Sequence, residues 1–205
     1  MSITSIVLGF FPVFQIFAIL LSLFVMFSVN SLVGLILSLF SIYALPLFAF
    51  RLHRFIFGTP GANYLLDQDK YVPWWGEYQI QLVLNSFNGF ESVLRMIPGV
   101  YSFWLRLWGA KIGKGITWTP TVKILDRAYV SIGNYVIFGY GVSLAPHVIT
   151  PTARGIQLYL AKIIVEDQCF LGALAGLGPG VTLESRSFVP FSKNVYPNSV
   201  VKAEG

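Results

Sequence analysis

From Ile112 onward the chain repeats itself every six residues, and few folds can be built on that period. The units are IGKGIT, WTPTVK and ILDRAY, then, after Val130 and Ser131, IGNYVI, FGYGVS and LAPHVI. Following an interruption from Thr150 to Ile164 come VEDQCF, LGALAG, LGPGVT, LESRSF, VPFSKN and VYPNSV. All twelve begin with a large apolar residue, and the fifth position is small or aliphatic in all but one, Lys193. Neither a two-residue alternation nor a 3.6-residue helical period generates this pattern. Short parallel strands joined by tight turns do generate it. Three units make one coil of a triangular prism, with first positions at the corners and fifth positions pointing inward. The spacing predicts a mainly β domain over 109–205, a parallel β-helix of about four coils.

The region before the repeat obeys a different rule. Residues 1 to 50 contain no Asp, Glu, Lys or Arg, and the whole chain is only 11% charged, against roughly 25% in ordinary soluble domains. Two apolar runs, Ile6 to Val29 and Leu32 to Phe50, are separated by the polar break Ser28-Val29-Asn30-Ser31. A helix needs about 20 residues to cross the ~30 Å hydrocarbon layer, so residues 1–57 are expected to form a transmembrane helical hairpin. Arg51 and Arg54 follow the second run and place both ends in the cytoplasm. The start MSITSIVLGF lacks the positive charge of a cleaved signal peptide. Residues 58–108 carry the aromatic stretches PWWGEY and VYSFWLRLWG, and Tyr78 to Ile97 keeps helical spacing. Trp and Tyr favour the headgroup region. One or two short interfacial helices are expected here, or a collar packed under the next domain.

The net charge of +5 is not clustered and no groove-reading motif is visible, so nucleic acid is not expected as a partner. Modest basicity suits anionic headgroups or a phosphate-bearing substrate. Cys169 is the single cysteine and falls on an inward fifth position, which makes it a core residue and rules out an intrachain disulfide. Neither CxxC pairs nor histidine clusters appear, so no metal is expected.

Two histidines remain. His53, beside Arg51 and Arg54, is expected at headgroup level, and His147 lies in LAPHVI. Three units per coil put ILDRAY beneath LAPHVI and LGPGVT above it. His147 then has Arg127 below, Gly180 above, Asp126 diagonally adjacent, and residues 150–164 leaving the prism beside it as a loop. The plain alternative is a polar turn residue on a non-catalytic β-helix scaffold of a membrane complex.

The repeat resembles the hexapeptide-repeat acyltransferases over Ile112 to Lys202. The resemblance is sharpest in LAPHVITPTARG, similar to the segment around the catalytic histidine of the maltose and galactoside acetyltransferases, and extends to LGPGVTL and NVYPNSVVK. It implies a left-handed coil, against the usual crossover rule, a homotrimer, and an acyl-coenzyme A donor, acetyl-coenzyme A above all. It also implies roles for particular residues. His147 is the general base, since histidine titrates near neutrality, and Asp126 orients it or binds substrate. Gly176, Gly178 and Gly180 let the pantetheine arm run along the backbone, and Lys193 is a candidate for the coenzyme A phosphates. Two features depart from the family. The asparagine expected before the Leu-Asp pair is replaced within TPTVKILD by Pro120 or Thr121, and the first 110 residues have no counterpart. A zinc carbonic anhydrase on the same fold needs three histidines, and the repeat has only His147. The expectation is an acyltransferase of the bacterial cytoplasmic membrane, its β-helix in the cytoplasm, acting on a hydroxyl or amine of a membrane lipid or lipid-linked acceptor.

Overall fold

The structure, a computed structural model, describes residues 2–66 and 70–203. These fall into two compact units, the first drawn from Met1–Pro60 and Asp67–Phe87, the second from Gly61–Leu66 and Asn88–Gly205.

In the first unit, α1 (Ile3–Gly9) and α2 (Phe11–Ser28) form one apolar run, and α3 (Ser31–Leu39), a π-helical turn (Phe40–Ala44) and α4 (Leu45–Phe57) form a second. The runs, Ile3–Ser28 and Ser31–Phe57, have 26 and 27 residues, long and apolar enough to cross a membrane. Asn30 starts the second run by accepting the Val33 N–H on its side chain at 3.0 Å. The π turn ends two residues before Pro46, which cannot donate into the helical ladder. Polar links join the two runs: Gln15 donates to the Ser41 carbonyl at 3.2 Å, and the Ser22 and Ser38 hydroxyls lie 2.8 Å apart. Gly34 allows the close approach, since a Cβ there would fall 2.2 Å from Met26 Cα.

The second run does not stop at Phe50; Arg51 and Arg54 lie inside α4. The next helix is α5 (Pro73–Ser86). It packs on α1, α2 and α4 with Trp74, Ile80, Val83 and Leu84 buried. Its buried Glu77 accepts from Arg54 Nε at 2.6 Å and Nη2 at 3.1 Å. The His53 ring on α4 is buried, pairs through Nε2 with the Tyr71 hydroxyl, and passes over Gly76, where no Cβ would fit.

The second unit opens with β1 (Asn63–Leu65), then α6 (Asn88–Arg95) and α7 (Val100–Leu107). The coils are built from β2 (Lys111–Ile112), β3 (Lys123–Ile124), β4 (Val130–Ile132), β5 (Ile137–Phe138) and β6 (Ser143–Leu144). A hairpin of β7 (His147–Thr152) and β8 (Gly155–Leu160) follows. The coils resume with β9 (Ile163–Val165), β10 (Phe170–Leu171), β11 (Gly176–Leu177), β12 (Thr182–Leu183), β13 (Phe188–Val189), β14 (Asn194–Val195) and β15 (Val200–Val201). The coil strands form three parallel sheets, ordered β2-β4-β9-β12-β15, β5-β10-β13 and β3-β6-β11-β14, the three sides of a prism. First positions stack on first positions: Ile124 on Leu144, Leu144 on Leu177, Leu177 on Val195. First and fifth positions both fill the core, with Leu144, Leu177, Val122, Val142 and Val181 buried.

Three details differ from the expected spacing. Val130 and Ser131 are not an insert but belong to the ladder, paired with Ile163 and Ile164. The two surplus residues are absorbed by a 3₁₀ turn, Arg127–Tyr129. Val148 is 36% exposed instead of inward, because the chain leaves the coil at His147. The residues that follow form a β-hairpin that β1 extends antiparallel through Asn63 to Tyr159.

Candidate active site

The fourth residue of a unit makes the corner, not the first as the spacing suggested, since first positions are buried in the core. It has positive φ in nine units: Gly115, Tyr135, Gly141, Gln168, Leu174, Gly180, Arg186, Ser192 and Asn198. The exceptions are Thr121, Arg127 and His147. Arg127 and His147 occupy the same corner of successive coils, since Ile124 pairs with Leu144. Two stacked turns are therefore opened at one place, the lower by the 3₁₀ turn and the upper by the hairpin.

Asp126 and His147 meet there. His147 Nδ1 lies 2.5 Å from Asp126 Oδ2, with the imidazole 12% and the carboxylate 1% exposed. A carboxylate accepts, so Nδ1 carries the proton and the lone pair sits on Nε2. This is the tautomer a general base needs, held by a charge that also stabilises the imidazolium.

Behind Asp126 lies a second buried network. Arg127 Nε donates to Glu91 Oε1 at 2.6 Å, and both side chains are almost fully buried. Glu91 Oε2 accepts from Arg95 Nη2 at 3.1 Å and from the Tyr101 hydroxyl at 3.2 Å, and Trp104 Nε1 lies 3.4 Å from Oε1. Burial, then the Glu91 charge, push the Tyr101 phenol well above its ordinary range.

No family model and no curated protein matches the chain. Solved structures do. A hexapeptide-repeat-containing acetyltransferase from Vibrio cholerae has 16% identity and a TM-score of 0.41, covering 59% of this chain and 86% of its own. A maltose O-acetyltransferase from Clostridium difficile has 14% identity and a TM-score of 0.38, covering 60% and 83%. A galactoside acetyltransferase in complex with coenzyme A has 16% identity and a TM-score of 0.33, covering 58% and 78%. The chain resembles hexapeptide-repeat acetyltransferases.

The remaining candidate residues lie apart from the Asp126–His147 pair. Gly180 is not directly over His147, because Ala161 stands between. Its N–H donates to the Pro146 carbonyl at 2.9 Å and its carbonyl accepts from Gly180 N at 3.4 Å. The glycine run faces the next coil: a Cβ on Gly176 would meet Asn194 Oδ1 at 2.4 Å, one on Gly178 Pro197 Cδ at 3.2 Å, and one on Gly180 Asn198 Oδ1 at 2.2 Å. Lys193 is exposed and lines a 460 Å³ cavity at the open end of the prism with Val189, Val195 and Val201. Of the two residues near the place expected of the family's asparagine, Pro120 accepts hydrogen bonds from Ser92 and Arg95 through its carbonyl, and Thr121 Oγ1 accepts from the Gly141 N–H at 2.8 Å. Cys169 is core as expected, and burial raises its thiol pKa. Among the described residues no group of acidic, histidine or cysteine side chains could hold a metal ion. Glu91 carried no sequence signal: it meets Arg127 across 36 residues, from outside the repeat.

Proposed function

We propose that the protein is a membrane-anchored, coenzyme A-dependent acyltransferase, with acetyl-coenzyme A as the donor. The acceptor is a hydroxyl or amine of a membrane lipid or lipid-linked molecule. The observation that carries this reading is the 2.5 Å contact between His147 Nδ1 and buried Asp126, in a segment, LAPHVITPTARG, that resembles the catalytic segment of the maltose and galactoside acetyltransferases. His147 Nε2 takes the acceptor's proton as its oxygen or nitrogen attacks the thioester carbonyl. The carbon–sulfur bond breaks, and the departing thiolate receives that proton from the imidazolium. Two apolar helical runs of 26 and 27 residues support the anchor, which keeps the enzyme at a lipid-borne acceptor. The family resemblance supports a left-handed coil, a homotrimer, and a donor cleft between prisms beside Gly176, Gly178 and Gly180.

The test is release of free thiol from acetyl-coenzyme A by the detergent-solubilised protein. His147→Ala should lower kcat by about 10²- to 10⁴-fold, the usual contribution of a positioned base, with KM for acetyl-coenzyme A little changed. Near-normal turnover in His147→Ala would refute the assignment.

A further inference from the structure

The repeat has two irregularities, the hairpin after His147 and the two surplus residues after Asp126. The hairpin opens the site. The surplus residues form the turn Arg127–Tyr129, closed by the Tyr129 N–H on the Asp126 carbonyl at 2.9 Å. Asp126 is the residue from which that turn springs, so whatever holds the turn also sets where its carboxylate points.

Arg127 holds it. The guanidinium is 1% exposed, lies 5.6 Å over the Trp108 ring and is fastened to Glu91 Oε1 at 2.6 Å. A charge buried this deeply persists only when paired, and Glu91 pairs it from α6, outside the coils. The two carboxylate oxygens have separate partners, Oε1 holding Arg127 while Oε2 holds Arg95 and Tyr101. We propose that Glu91 and Arg127 are positioning residues for the Asp126–His147 pair, an anchor outside the repeat that fixes the carboxylate on which the imidazole depends. This rests on reading Asp126 and His147 as the working pair, and it adds that α6 belongs to the catalytic apparatus and is not only a cap on the prism.

The experiment uses the full-length protein in detergent with ¹⁵N-labelled histidine. The chain has two histidines, so two imidazoles appear, and His53→Gln assigns them. In the wild type, His147 should show a protonated, hydrogen-bonded Nδ1. Glu91→Gln keeps the shape and removes the negative charge that pairs the Arg127 guanidinium; Tyr101→Phe removes one Oε2 contact and keeps that negative charge. The expected result is that Glu91→Gln loses the hydrogen-bonded Nδ1 signature while remaining folded by circular dichroism, and that Tyr101→Phe retains it. A merely structural role would lower Tm in both and move the signature in neither. If Glu91→Gln does not fold, Arg127→Lys, which keeps a cation with a shorter reach, is read in its place. A wild-type signature in whichever variant folds overturns the proposal. Thiol release from acetyl-coenzyme A should fall about 10²-fold in Glu91→Gln, as expected when a reacting group moves by about 1 Å. A protein that turned over no acetyl-coenzyme A but lost the signature in Glu91→Gln would refute the proposed reaction and leave the positioning role intact.

Discussion

Replacing Asp126 with asparagine separates geometry from charge at the centre of the site. Asparagine has the same shape and can still accept the Nδ1–H of His147 through its carbonyl oxygen, so the ring need not move. What disappears is the negative charge that favours the imidazolium formed when the acceptor gives up its proton. The groups are 2.5 Å apart atom to atom, and at 12% and 1% exposure they are little screened by water. With about 4 Å between charge centres and an effective dielectric constant of about 20, their attraction is about 4 kcal/mol. That corresponds to about 10³-fold in rate. Asp126→Asn should therefore lower kcat for thiol release from acetyl-coenzyme A by about 10³-fold, within the range expected for removing the imidazole itself, and leave KM for the donor nearly unchanged. The double variant Asp126→Asn/His147→Ala should be no slower than His147→Ala alone, because residues that act as a unit are not additive. Thiol release by Asp126→Asn within tenfold of the wild type would show that the carboxylate is a turn residue and not part of the chemistry.

Two further outcomes test the fold around this site. Cys169 is 1% exposed and burial raises its thiol pKa, so the thiolate is scarce below that raised value; a thiol reagent at pH 8 should label it only after denaturation, and rapid labelling of the native protein would contradict an inward fifth position. Phe138 is fully buried and stacked on Trp118 at 4.7 Å, so Phe138→Ala should cost about 3–5 kcal/mol, read as a lowered denaturant midpoint, and an unchanged midpoint would show that the coil core is not packed as described.

The six-residue period determined the prism. Because side chains at first and fifth positions recur at a fixed interval, the pairing of Ile124 with Leu144 and of Leu144 with Leu177 follows from counting, and so does the meeting of Asp126 with His147. The two apolar runs were equally legible, since hydrocarbon thickness sets a length that composition alone can satisfy. Counting failed where the chain leaves the period. It could not tell that Val130 and Ser131 stay in the ladder while Arg127–Tyr129 takes up the surplus, because a strand and a 3₁₀ turn absorb two residues equally well until the neighbouring strand β9 chooses between them. It also put Gly180 directly over His147, where the returning hairpin inserts Ala161. The burial of His53 against Tyr71, and of Glu91 against Arg127, had no local signal at all. An isolated acid or imidazole reads as a surface residue in sequence. Only tertiary packing, which brings a partner across 18 or 36 residues and removes the water, makes burying such a group favourable.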